Sequence, residues 1–241
     1  TRLARRALLP GFAKIAHDAP RARAAFVKAA AVMTLFSMPI AFGIAATAPL
    51  IGEVILGPKW LAAVPLMQLL ALAGVVTAIA SPITSALIAM GKPYVVASLS
   101  LCNAVVLLSL VLRFAWQGGA LGAAQAVLLT ALIFLPVYFA ISMRFLYVSV
   151  RDILTIVLRP AMAAILMYWL VTKCLRLTGL APVDILLAAG IGAVIYVTTV
   201  LLLWRIMPAE DVCAESFILE RIRERLAARG LIRNASDGAT P

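Results

Sequence analysis

The chain has 241 residues, of which 64% are hydrophobic and 13% charged, with a mean hydropathy of +1.08. A soluble domain carries nearly twice that charged share, and a chain this apolar has too little polar surface to fold in water. The net charge of +11 raises the question of nucleic-acid binding, because clustered Lys and Arg neutralise phosphates. The cations gather at the two ends and leave the middle nearly uncharged, which is a membrane-protein pattern and argues against a nucleic-acid partner.

The first segment, residues 1–28, is basic, with Arg2, Arg5, Arg6, Lys14, Arg21, Arg23 and Lys28. It opens on Thr1 with neither an initiating Met nor a signal peptide, so a piece of a longer protein is expected. Six apolar runs follow, near 29–51, 62–90, 94–116, 120–141, 153–175 and 183–207. Each has about the 20 residues that a spanning helix needs, and in lipid only helices or closed barrels satisfy their own backbone. Gly57-Pro58, Gly91-Lys92-Pro93, Gly118-Gly119, Arg151-Asp152 and Thr178-Gly179 punctuate them, as expected where chain leaves the hydrocarbon. The final segment, 208–241, differs in kind. From Asp211 to Arg229 apolar residues recur at helical spacing among Glu220, Arg221, Arg223, Glu224 and Arg225. An amphipathic helix lying on the anionic cytoplasmic leaflet is expected, with packing on a protein partner as the alternative, and Asn234 to Pro241 read as a disordered end. The fold class is thus all-α: a basic segment (1–28), a six-helix transmembrane lobe (29–207) and an amphipathic tail (208–241).

Charge sets the orientation. With six spans and the first segment inside, every Lys and Arg except Lys59, Arg113, Lys173 and Arg176 falls on the cytoplasmic side. Both termini are therefore expected in the cytoplasm. Trp60, Tyr94, Trp116, Tyr147 and Trp204 sit near span ends, where amphipathic rings prefer the headgroup level. Pro39, Pro65, Pro82 and Pro136 lie within spans, each either a packing kink or a functional hinge. Gly118, Gly122 and the Ala-rich stretch after them offer small residues for close helix contact.

No enzyme site emerges. His17 is the single histidine and sits in the basic segment; Cys102, Cys174 and Cys213 are isolated; no metal-ligand spacing and no cofactor motif occurs. None of the ten acidic residues lies at the centre of a span, so paired carboxylates for acid–base work are missing. Intramembrane polar residues are functional candidates by default. Here they are Gln68, Asn103 and Gln125, with Arg113, Lys173 and Arg159 within about a turn or two of an interface. Amides that glue helices and cations that snorkel are the competing reading for all six.

Four motifs in order carry a family resemblance. Leu9-Pro10-Gly11-Phe12-Ala13-Lys14-Ile15, with Asp18, Arg21 and Arg23, comes first. Leu56-Gly57-Pro58-Lys59-Trp60 follows, with Ala63-Val64-Pro65-Leu66-Met67-Gln68-Leu69-Leu70. Ala89-Met90-Gly91-Lys92-Pro93 and Gly119-Ala120-Leu121-Gly122-Ala123-Ala124-Gln125-Ala126 complete the set. Over roughly Leu8 to Arg151 the chain resembles Wzx-like polysaccharide flippases of the colanic-acid exporter type, in the multidrug/oligosaccharidyl-lipid/polysaccharide superfamily. Beyond that the match is only in hydropathy.

The resemblance implies the C-terminal half of a two-lobe transporter in the bacterial inner membrane. It implies translocation of undecaprenyl-diphosphate-linked oligosaccharide for surface polysaccharide such as lipopolysaccharide, with the N-terminal lobe of the same protein as partner. On that reading Arg113, Lys59 and Arg159 meet anionic groups, and Gln68, Asn103 and Gln125 meet sugar hydroxyls. Three rivals stay open. A small-molecule exporter of the superfamily would favour an acidic residue inside a span; a membrane-embedded polymerase or acyltransferase would call for a large outer loop or catalytic His; the third is a scaffold without transport.

Overall fold

A computed structural model describes residues 19–174 and 181–206. These form helices α1 (Ala19–Ile51), α2 (Val64–Ala89), α3 (Pro93–Leu146), α4 (Val150–Cys174) and α5 (Ala181–Ile206), and no strand occurs among the described residues. All five helices are long and apolar enough to cross a membrane, so the chain is an all-α, polytopic membrane protein. The amphipathic tail, His17 and residues 9–18 of the first motif lie outside the described residues.

Two features differ from the segment boundaries read in the sequence. α1 begins at Ala19, well inside the basic segment. The stretch Arg21-Ala22-Arg23-Ala24-Ala25 is rich in strong helix formers, so the helix continues past the end of the apolar run. The third and fourth apolar runs fall in one helix, α3, of 54 residues. At 1.5 Å per residue an unbroken helix would reach about 80 Å, against a hydrocarbon core of about 30 Å. It is broken at Gly119, whose φ of 56° and ψ of −136° are accessible to glycine and strained for other residues. Beyond the break Gly122 lies directly on the backbone of Phe114: a Cβ there would meet the Phe114 carbonyl carbon at 2.6 Å. Residues eight apart in a straight helix are about 12 Å apart, so α3 doubles back as a hairpin and supplies two spans.

Two apolar clusters fix the order of the bundle. In one, Phe26, Val27, Ala30 and Ala31 of α1 pack with Ile83, Ala86 and Leu87 of α2, Leu146 and Val148 after the hairpin, and Ile156 of α4. In the other, Met38, Ala41 and Ala46 of α1 meet Val75 and Ile79, Ala163, Ala164, Met167 and Val171 of α4, and Ala188, Tyr196 and Val200 of α5. Hence α1 is central, touching α2, α4 and α5, while α3 leans mainly on α2. Its buried positions are largely alanine, which lets neighbouring backbones come close. Between α4 and α5 that role falls to Gly192, against which Val171 and Met167 pack. The first limb of α3 buries only Leu99 as far as Gly118; Leu101, Val105, Leu108 and Leu112 form an exposed apolar ridge, which lipid can solvate.

Candidate functional site

The clusters sort the connections into two ends. Arg23 and Lys28 at the start of α1, Lys92 between α2 and α3, and Arg144 and Arg151 between α3 and α4 gather at one end. Lys59, Arg113 and Lys173 belong to the other, with the Gly57 and Gly119 turns. Trp60, Tyr94, Trp116 and Tyr147 are exposed at helix ends, Trp116 the most.

The basic end is built around Asp152. Ser149 caps α4: its hydroxyl accepts the Arg151 N–H at 3.3 Å, while the Ser149 N–H donates to the Asp152 carboxylate at 3.1 Å. This reciprocal pair is a capping box, with Ser149 and Asp152 three residues apart. The same Asp152 oxygen accepts from the Arg23 guanidinium at 2.5 Å, tying the start of α1 to the start of α4. Tyr147 makes the preceding reversal with φ of 52°. Nearby, the Lys92 ammonium stands 4.3 Å from the centroid of the Phe145 ring, a cation–π contact.

The six residues singled out in the sequence do not converge on one pocket. Lys59, Arg113 and Gln125 are exposed, at or near the end opposite the basic one. Asn103 is half-buried in the middle of the first limb of α3. Gln68 is half-buried on α2, and its amide donates to the Ala45 carbonyl of α1 at 3.1 Å. Arg159 is 4% exposed, more than two turns inside α4 beside Pro160, so it is packed within the bundle instead of snorkelling to an interface. Sequence alone passes over Tyr196 and places Asp184 only near a span end. Asp184 is 3% exposed at the start of α5, where the sequence gives only a carboxylate near a span end. The Tyr196 hydroxyl donates to the Leu35 carbonyl of α1 at 2.8 Å. A tyrosine well inside a span was the available signal, since a buried phenol usually finds an acceptor. Among the described residues no group of His, Cys, Asp and Glu is placed to hold a metal ion.

The family match falls on the N-terminal part. A family described as Polysaccharide biosynthesis protein matches residues 1–65. The chain is 37% identical over 87 residues to an uncharacterized membrane protein in the cps region of Klebsiella pneumoniae. Over stretches of the same length it is 31% identical to the lipopolysaccharide biosynthesis protein WzxC of Escherichia coli K12 and 31% identical to the teichuronic acid biosynthesis protein TuaB of Bacillus subtilis. Each match covers 36% of this chain and 18% of the relative. No solved structure matches. By its helices and by these matches, the chain is a multi-pass membrane protein similar to Wzx-like polysaccharide flippases.

Proposed function

We propose that the chain is part of a carrier that moves undecaprenyl-diphosphate-linked oligosaccharide across the bacterial inner membrane during surface polysaccharide biosynthesis. The observation that carries this reading is the match of residues 1–65 to a polysaccharide biosynthesis family, on a chain whose described residues form five long apolar helices. The names of WzxC and TuaB support the same process. A diphosphate and several sugars cannot cross hydrocarbon unaided, because each ionised group stripped of water costs many kcal/mol. A hydrated cleft between this lobe and an N-terminal lobe of the same protein removes that barrier, and rocking of one lobe against the other exposes it to alternate sides. The lipid tail stays in the bilayer. The basic end faces the cytoplasm, as the cation bias favours, together with both termini. Lys59, Arg113 and Arg159 are the anion contacts in this scheme, and Asn103, Gln125 and Gln68 the contacts to sugar hydroxyls. No acid–base pair or nucleophile is needed, so the protein acts as a carrier and not as an enzyme.

Deleting the full gene and following the lipid-linked intermediate tests the reading. Loss of a carrier leaves complete lipid-linked units on the cytoplasmic face. Units that reach the outer face unpolymerised would instead mark a polymerase, and unchanged surface polymer would leave a scaffold. Alanine at all six residues in the full-length protein should abolish export; normal export would remove them as substrate contacts.

A further inference from the structure

α1 carries two prolines inside its span, Pro39 and Pro49. Proline has no N–H to reach back four residues, so each leaves one helical carbonyl without its donor: Leu35 for Pro39 and Ala45 for Pro49. In lipid such a carbonyl must be satisfied by a neighbour. Both are. Tyr196 of α5 donates to the Leu35 oxygen at 2.8 Å, and Gln68 of α2 donates to the Ala45 oxygen at 3.1 Å. By contrast the hydroxyls of Thr34, Thr47, Ser85, Thr130 and Ser142 bond carbonyls of their own helices. The Tyr196 and Gln68 donors, each from another helix, land on the two carbonyls that the prolines free.

The ties differ in surroundings. Tyr196 is buried among Met38, Ala163 and Met167, in the apolar cluster that joins α1, α4 and α5. Gln68 is half-buried and bridges a corner of irregular backbone. After Pro49 the chain passes through a π-wound turn (Gly52–Leu56), Gly57 with φ of 82°, and a 3-10 turn (Pro58–Ala63) before α2 begins. Val54, Ile55, Leu56, Trp60 and Leu61 of that corner are exposed. Its packing is thin, and the Gln68 bond joins α1 before the corner to α2 after it.

We infer that Gln68 and Tyr196 are positioning residues that fix the bend of α1 by engaging its two proline-freed carbonyls, Tyr196 as a permanent tie and Gln68 as a releasable latch on the corner of residues 46–63. Release of the Gln68 latch frees that corner to swing while the Tyr196 tie holds the rest of α1 on α5. As a hinge for rocking, the latch rests on the transport reading above; the assignment of the two ties does not.

Restoring the missing N–H makes a tie redundant, and this is the test. In the full-length protein, Gln68→Leu lowers Tm by about 2–6 °C, as expected for one buried carbonyl left unpaired. In a Pro49→Ala background the same change costs about 1 °C or less, because residue 49 again donates to Ala45. Tyr196→Phe and Pro39→Ala form the second cycle, with the same outcome. A Gln68→Leu loss that is undiminished by Pro49→Ala overturns the latch, as does the absence of any loss with Pro49 present. Should Gln68→Leu fail to fold, recovery in the double variant supports the latch and continued failure overturns it. The corner is read separately, by maleimide labelling of Trp60→Cys with Cys102, Cys174 and Cys213 replaced by Ser. Labelling rises several-fold with Gln68→Leu and stays unchanged with Tyr196→Phe; equal rates in the two variants overturn a releasable corner. None of these readouts requires transport, so their failure and the failure of the carrier reading are distinguishable.

Discussion

Adding one carbon at Gly122 puts the hairpin of α3 to the test. A Cβ there would overlap the Phe114 carbonyl oxygen and lie 2.6 Å from its carbon. Ordinary van der Waals contact starts near 3.4 Å, so the two limbs must separate by most of an ångström. The obstacle is backbone and has no rotamer to escape into. Overpacking of this kind costs typically 1–3 kcal/mol. At about 2–4 °C per kcal/mol for a chain of this size, Gly122→Ala should lower Tm by about 2–12 °C. Gly118 is the control: four residues earlier, with nothing within 4 Å and no positive φ. Gly118→Ala should leave Tm unchanged or raise it slightly, because alanine is the better helix former. Gly119→Ala, at φ 56°, should cost about 1–3 kcal/mol through strain alone. The measurement is thermal unfolding of detergent-purified protein. If Gly122→Ala melts with the parent while Gly119→Ala does not, the limbs do not meet at Phe114 and the close approach is wrong.

Three further outcomes follow from the same geometry. Asp152→Ala should cost more than Arg23→Ala: it removes a capping acceptor as well as an ion-pair partner, whereas an Arg23 side chain 43% exposed holds its pair for under about 1 kcal/mol. Chemical-denaturation midpoints of the two variants decide it, and equal losses would deny Asp152 its capping role. Reporter fusions after Lys92 and Arg151 should report one side of the membrane, and fusions after Lys59 and Gly118 the other; a Gly118 fusion on the Lys92 side would dissolve the hairpin. Gly192→Val should loosen α5 from α4, since Val171 Cγ2 already lies 3.2 Å from where its Cβ would be, while Gly190→Val meets open space. Equal melting of these two variants would contradict the packing.

How much of this was legible in the sequence depends on the range of the interaction involved. The spans, their polar ends and the aromatic belt are local properties of composition, so Gly91-Lys92-Pro93 and Trp60 told their story unaided. The Gly118-Gly119 break was legible as punctuation, yet Gly122 read only as a generic small residue, because its contact with Phe114 exists only once the chain has reversed. Pro39 and Pro49 announce freed carbonyls, but nothing local to them says which donor answers; Tyr196 lies 161 residues from Leu35. Arg159 shows the limit most plainly. Nine residues from the start of α4, a snorkelling cation and a packed one look alike in sequence, and the neighbouring helices α1 and α5 decide between them.

Because α1 is held by unlike chemistry along its length, salt can separate its restraints. At the basic end the Arg23–Asp152 bond joins full charges, and the Arg23 side chain is 43% exposed. Screening shortens the reach of such charges from about 10 Å at 0.1 M salt to about 3 Å at 1 M. Further along, Tyr196 to Leu35 and Gln68 to Ala45 are bonds between neutral groups, which carry no net charge for mobile ions to screen. The Tm difference between Arg23→Ala and the parent should therefore shrink toward zero as salt rises from 0.1 to 1 M. The difference produced by Gln68→Leu should stay constant over the same range. Denaturation of both pairs across a salt series measures this directly. If the Gln68→Leu difference collapses with salt while that of Arg23→Ala persists, the charged tie and the neutral tie have been assigned to the wrong ends of α1.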